Sequence, residues 1–204
     1  MEEHPSAQTE RLNLFGPTVS AEQRDALIAT QPLALHLSQG LAYTVGSAIG
    51  ERPPSTDACR AAFVLPNSVG LTAGARAWSK HGHRSGGAPP DSEASSPSES
   101  KPKSKSKKPT NTGYWGVASG PVAVINENAL VLFWKVMNAA TWRNLHWLPH
   151  QILVYEVRVA EGYGMRWSQD RSVVRDSEAE MPAWLFRGFV EPMMEGGHEA
   201  GWRH

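Results

Sequence analysis

The chain has 204 residues, 40% hydrophobic and 20% charged, and its 20 basic and 20 acidic side chains cancel. That length is enough for one core, and zero net charge excludes a global pull toward nucleic acid or a lipid surface, so any electrostatic function must come from a local patch. The single Cys59 cannot form an internal disulfide, and no run approaches the roughly 20 apolar residues of a membrane span. The acidic, polar start MEEHPSAQTE lacks the basic-then-apolar layout of a secretory signal. We therefore expect a soluble protein of the cytoplasm and/or nucleus with no membrane partner.

Residues 1–11 are polar and are expected to be loose. Ser20, with Gln23 three residues on, predicts a capping box and a helix carrying Ala26, Leu27 and Ile28. Pro32 breaks or restarts it. Leu33, Leu35, Leu37 and Leu41 follow, and His36 among them reads as a packed or surface residue. Gly46, Gly50, Pro53 and Pro54 mark a loop. The apolar run from Ala61 to Leu65 fits a buried strand or a short helix, and Pro66 ends it. Cys59 just before it reads as a small, half-buried apolar residue. Ser68 or Thr72 can cap a further short helix with Ala73, Ala77 and Trp78, whose far end holds Arg76, Lys80, His81, His83 and Arg84.

Residues 85–112 hold Ser, Pro, Gly and Lys and no large apolar side chain. Such a segment cannot bury enough surface to offset ordering entropy and should be a disordered insert. Its acidic half, DSEASSPSES, precedes a basic half, KPKSKSKKP, which reads either as a solvated linker or as a nuclear import signal. Order resumes at Tyr114 and Trp115. Asn126 is a plausible cap for a helix on which Ala129, Leu132, Phe133, Val136, Met137 and Ala140 form an apolar stripe, with Trp134 as packing. Residues 151–159 are the clearest strand. Leu153, Tyr155, Val157 and Val159 face the helix, and Ile152, Val154, Glu156 and Arg158 face away. A short strand with Tyr163, Met165 and Trp167 follows, then a charged loop over 169–182. A last strand over 184–190 places Trp184, Phe186 and Val190 opposite Leu185, Arg187 and Phe189.

The fold class expected from this order is α+β. A small, mainly antiparallel sheet from the C-terminal half is covered on one face by the helices over 21–40 and 127–140. One domain would comprise 12–84 and 113–204.

Six of the eight histidines lie at or after His81, and all eight tryptophans lie from Trp78 onward. Together they read either as an aromatic-walled site or as an aromatic core with scattered surface histidines. His146 and His150 have the four-residue spacing of helical metal ligands, but Pro149 disfavours helix there. The H-E-x-x-H spacing is absent, which removes a zinc-protease reading; a metal site assembled from His81, His83, His198 and a carboxylate is the lesser alternative, and no metal and no cofactor is assigned. Arg158, Arg166 and Arg187 lie in or beside predicted strands, with Glu156, Glu191 and Glu195 as partners. These groups form either an ion-pair network that pins the sheet or an arginine fork for phosphate or carboxylate.

The motifs YGMRW and FRGFVEPMMEGGHEAGWRH, with ARAWSKHGHR and YWG before them, resemble an uncharacterised family of plants and fungi. The resemblance runs from Leu71 on without the insert. It implies a single domain and carries no activity.

Three readings follow. In an enzyme of hydrolase type acting on an anionic, phosphate-bearing small molecule, His81, His83 and His198 exchange protons. Glu191 or Glu195 orients a histidine or acts as base. Lys80, Arg84, Arg158, Arg166 and Arg187 hold the anion between Trp115, Tyr163 and Trp167. In a non-catalytic module, the same aromatics and arginines bind a nucleotide, nucleic acid or modified peptide. In the third, the ion pairs and tryptophans only hold the domain together.

Overall fold

The computed structural model describes residues 3–81, 113–172 and 181–192. The insert over 85–112, most of the charged loop and the motif's last residues lie outside them. Among the described residues six helices precede a four-stranded antiparallel sheet of order β1-β2-β3-β4, an α+β arrangement as expected.

Three short helices open the chain: α1 (Pro5–Phe15), α2 (Ala21–Thr30) and α3 (Pro32–Ser38). Helix α1 replaces the loose start expected from its polarity. His4 Nδ1 accepts from the Ser6 amide and Pro5 holds the first turn. Ala7 and Leu14 are fully buried against Ala34 and Leu37, so the apolar surface that orders this helix is supplied by α3. The capping box of α2 forms as its sequence dictates. The Ser20 amide donates to Gln23 Oε1 at 2.9 Å and the Gln23 amide to Ser20 Oγ at 3.2 Å. Pro32 starts α3.

The run at Ala61 resolves as helix α4 (Thr56–Val64). Ser55 Oγ caps it by accepting from the Ala58 amide at 3.1 Å. Cys59 is fully buried rather than half-buried. Helix α5 (Ala73–His81) is capped by Thr72, whose Oγ1 accepts from the Ala75 amide. Helix α6 (Val122–Ala139) begins one turn earlier than Asn126 suggested, just after Pro121. Asn126 is instead a tie. Its Oδ1 accepts from the Thr72 amide at 3.0 Å and its Nδ2 donates to the Gly70 carbonyl at 2.9 Å, binding the start of α5 to α6.

The strands are β1 (Trp142–Leu148), β2 (Ile152–Arg158), β3 (Gly164–Asp170) and β4 (Leu185–Val190). One face carries Leu145, Leu153, Tyr155, Val157, Met165, Trp167, Phe186 and Phe189. It forms the main core with Cys59, Phe63 and Ala75 of α4 and α5 and with Phe133 and Val136 of α6. The Phe63 ring lies within 4.7–6.1 Å of those of Phe133, Phe186 and Phe189. A bulge in the β3–β4 ladder between Arg166 and Trp167 leaves Arg187 unpaired. It changes the alternation expected for β4: Phe186 pairs with Trp167 and Phe189 with Met165, so both phenyl rings reach the core. Helices α1–α3 have their own small cluster. They connect to the sheet through residues 42–48, which run beside β1. The Ala42 amide donates to Arg143 at 2.7 Å and the Ala48 amide to Leu145 at 2.8 Å.

Candidate nucleic-acid interface

Strand β1 was not evident from its sequence, WRNLHWL, because polar residues interrupt it. Its alternation is nevertheless complete. Arg143, Leu145 and Trp147 share the core side, while Trp142, Asn144 and His146 point to the other face. Directly opposed residues share a face, so the register lays out rows across the sheet. Asn144 opposes Glu156, which opposes Arg166. Trp142 opposes Arg158, which opposes Gly164, and His146 opposes Val154, which opposes Ser168. A polar face thus lies back to back with the core.

Glu156 is its centre. The residue is 1% exposed, and both carboxylate oxygens are engaged. Arg158 Nε donates to Oε1 at 2.5 Å, Arg166 Nε donates to Oε2 at 2.7 Å, and Arg166 Nη2 lies in ion-pair contact with the same oxygen at 2.6 Å. Burial alone would push this carboxyl up. The guanidinium charges of Arg158 and Arg166 and their hydrogen bonds outweigh it, so the group is held below the usual carboxylate range. Arg158 Nη1 also donates to the carbonyls of Gly162 at 2.6 Å and Glu191 at 2.8 Å. That leaves its side chain 12% exposed and locked. Arg166 is the more open, at 31%. Its Nη1 has no partner among the described residues.

His146 is half-buried on the same face, one diagonal step from Glu156, about 7–8 Å by strand geometry. Burial lowers its pKa. The Glu156 carboxylate opposes that shift and Arg166 reinforces it. The result favours the neutral, proton-accepting imidazole near pH 7. Asn144, 1% exposed, is held by Thr44 and Ser47: its Nδ2 donates to Thr44 Oγ1 at 2.9 Å and its Oδ1 accepts from Ser47 Oγ at 3.0 Å.

Of the residues singled out from sequence, the structure brings Arg158 and Arg166 together with the backbone of Glu191. Arg187 is exposed at the bulge. Trp167 is fully buried in the core and donates through Nε1 to the Cys59 carbonyl at 3.1 Å. Trp115 is 3% exposed, and its carbonyl accepts from Trp78 Nε1 at 2.9 Å. Tyr163 stacks on Tyr114 with ring centroids 4.2 Å apart, and Lys135 Nζ lies 3.6 Å from the Tyr114 ring centre. Lys80 is exposed on α5, the helix that packs against the core side. His81 ends α5. His83, Arg84, Glu195 and His198 lie outside the described residues. Among the described residues no three His, Cys, Asp or Glu side chains gather as metal ligands, and no helix is long and apolar enough to cross a membrane. Sequence reasoning placed Glu156 in the network, weighed His146 only as a helical metal ligand, and passed over Trp142 and Asn144. Their period-two spacing was the available signal.

The family model of the CdiA C-terminal tRNase toxin domain matches residues 103–175, which is 73 of the 204 residues. The matched stretch contains α6, β1, β2 and β3, and with them His146, Glu156, Arg158 and Arg166. Helices α1–α5 and strand β4 lie outside it. No curated protein and no solved structure matches the chain. The match corrects the resemblance drawn from the C-terminal motifs: the similarity found is to this toxin domain, not to a plant and fungal family.

Proposed function

We propose that the chain acts on RNA and cleaves tRNA phosphodiesters on the polar face of its sheet. One coincidence carries the reading: the stretch similar to a tRNase toxin domain is the stretch that builds this face. Arg166, with one nitrogen unpartnered, is suited to grip a backbone phosphate. Glu156 orients both arginines. The neutral His146 takes the proton from a ribose 2′-hydroxyl, and the 2′ oxygen attacks the adjoining phosphorus. The bond to the 5′ oxygen breaks as that oxygen takes a proton from water, leaving a 2′,3′-cyclic phosphate; His146 then returns its proton to solvent. Arg166 and Arg158 offset the charge that builds on the phosphoryl oxygens.

The saturation of both Glu156 oxygens favours a second reading, in which the face binds RNA without cutting it. One experiment separates the two. End-labelled tRNA transcripts are incubated with the purified chain and products are resolved by length and end chemistry. Cleavage that leaves a cyclic phosphate and stops when the attacking ribose is 2′-deoxy is the expected result. Saturable, salt-sensitive binding without cleavage selects the second reading. Neither binding nor cleavage overturns both.

A further inference from the structure

Beside the arginines the same end of the sheet holds a hollow of about 170 Å³ lined by Thr141, Trp142, Arg158, Val159, Ala160 and Gly162. Three features suit it to a flat, polar-edged ring. Trp142 is half-buried, and its Nε1 is buried with no hydrogen-bond partner among the described residues. The nitrogen edge is therefore turned inward, and what a ligand meets is ring carbon. The 159–162 turn is closed by the Gly162 amide donating to the Val159 carbonyl at 2.9 Å. Its two central residues, Ala160 and Glu161, are exposed. Of the two, Ala160 lines the hollow, and its backbone amide and carbonyl have no partner among the described residues. Arg158 Nη1 ties the Gly162 carbonyl of the turn to that of Glu191.

The geometry points to a nucleobase subsite: Trp142 stacks the base, the Ala160 backbone reads its edge, and Arg158 forms the wall on the side of the phosphate. The inference deepens the ribonuclease reading and rests on it for the identity of the ligand as RNA. Trp142 directly opposes Arg158 in the ladder, and Arg166 lies one row away. A base seated here therefore belongs to a nucleotide next to the phosphate that Arg166 holds. Stacking alone selects little among bases, whereas backbone hydrogen bonds at a fixed turn select by edge. The hollow would thus set where the RNA is cut.

The test uses the full chain with the four nucleoside monophosphates and inorganic phosphate, followed by calorimetry. Wild type should bind at least one nucleotide about tenfold more tightly than phosphate. Trp142→Ala should lose that margin and bring the four nucleotides within about twofold of one another, while Trp142→Phe keeps part of both. Ala160→Trp fills the hollow from an exposed position and should reproduce the loss even if Trp142→Ala does not fold. Wild type binding phosphate as well as any nucleotide, or both W142A and A160W retaining the wild-type order, overturns the subsite. The two readings fail separately. Transcripts cut at unchanged positions by A160W sink the hollow and leave the ribonuclease. Base-selective binding that W142A abolishes, with no transcript cut, keeps the hollow and removes the ribonuclease.

Discussion

Glu156 and Arg166 face each other across β2 and β3, and one carboxylate oxygen of the glutamate takes both Nε and Nη2 of the arginine, at 2.7 and 2.6 Å. The pair sits on a sheet whose other side is core, so it is fixed by backbone pairing as well as by charge. Arg158 completes the set from two residues along the same strand.

Removing the charge of Glu156 should therefore cost stability before it says anything about function. Glu156→Gln leaves two guanidinium groups without their counter-charge. Breaking a buried pair costs about 3–5 kcal/mol, and the partial exposure of Arg166 discounts this toward the low end. We expect a loss of about 3 kcal/mol in urea unfolding, read as a lower midpoint at unchanged slope. A loss below about 1 kcal/mol would show that solvent already screens the network.

The same carboxylate sets an acid limit. Its folded pKa is depressed relative to an unfolded value of about 4.3. Its contribution is fully present above that value and is lost as pH falls through the lower folded value. Stability measured from pH 5 downward should fall more steeply in wild type than in Glu156→Gln. Parallel curves would exclude Glu156 as the source.

A milder pH dependence should come from His36. The ring is fully buried, with Nε2 on the Ala42 carbonyl at 2.9 Å and Nδ1 without a partner among the described residues. Burial pushes its pKa down, the Ala42 carbonyl and Asn144 oppose that, and Arg11 adds to it. Below the unfolded value of about 6.5 the unfolded chain binds a proton that the folded chain refuses, so stability declines as pH drops from there. His36→Leu should flatten this decline between about pH 6.5 and 5 while losing about 1 kcal/mol at pH 8 with the Ala42 bond. His146 is shifted the same way, so the double variant with His146→Gln should be flatter still.

Asn126→Ala tests the tie between α5 and α6. Two hydrogen bonds, to Thr72 and Gly70, disappear. At about 1 kcal/mol each, less about 0.5 kcal/mol for the better helix former, the expected loss is about 1–2 kcal/mol. Asn126→Asp should recover the Thr72 bond alone and fall between, as differential calorimetry would show.

On the proposed tRNA cleavage, His146→Gln should lower the rate by about 10²–10⁴-fold with binding changed only a few-fold. Arg166→Ala should instead weaken binding and reduce the salt slope by about one. If His146→Gln cuts at the wild-type rate, the proton acceptor lies elsewhere.

Signals that act within a few residues were legible from the chain alone. The Ser20–Gln23 box, a cap at Ser68 or Thr72, the stripe of α6 and the alternation of β2 follow from spacing, whereas spacing offered three glutamates for three arginines and the β2–β3 register chose Glu156 for Arg166. What depended on distant partners was decided only by the tertiary structure. Strand β1 is legible once Thr44 and Ser47, about a hundred positions away, accept and donate for Asn144. Asn126 does not cap α6 because the helix already starts after Pro121, and its side chain ties to Gly70 and Thr72 instead. Trp167, an attractive binding wall in sequence, is core because the Cys59 carbonyl and the helices cover it. Capping and periodicity are local and written in neighbouring residues, whereas burial and the satisfaction of a polar side chain depend on what the fold brings alongside.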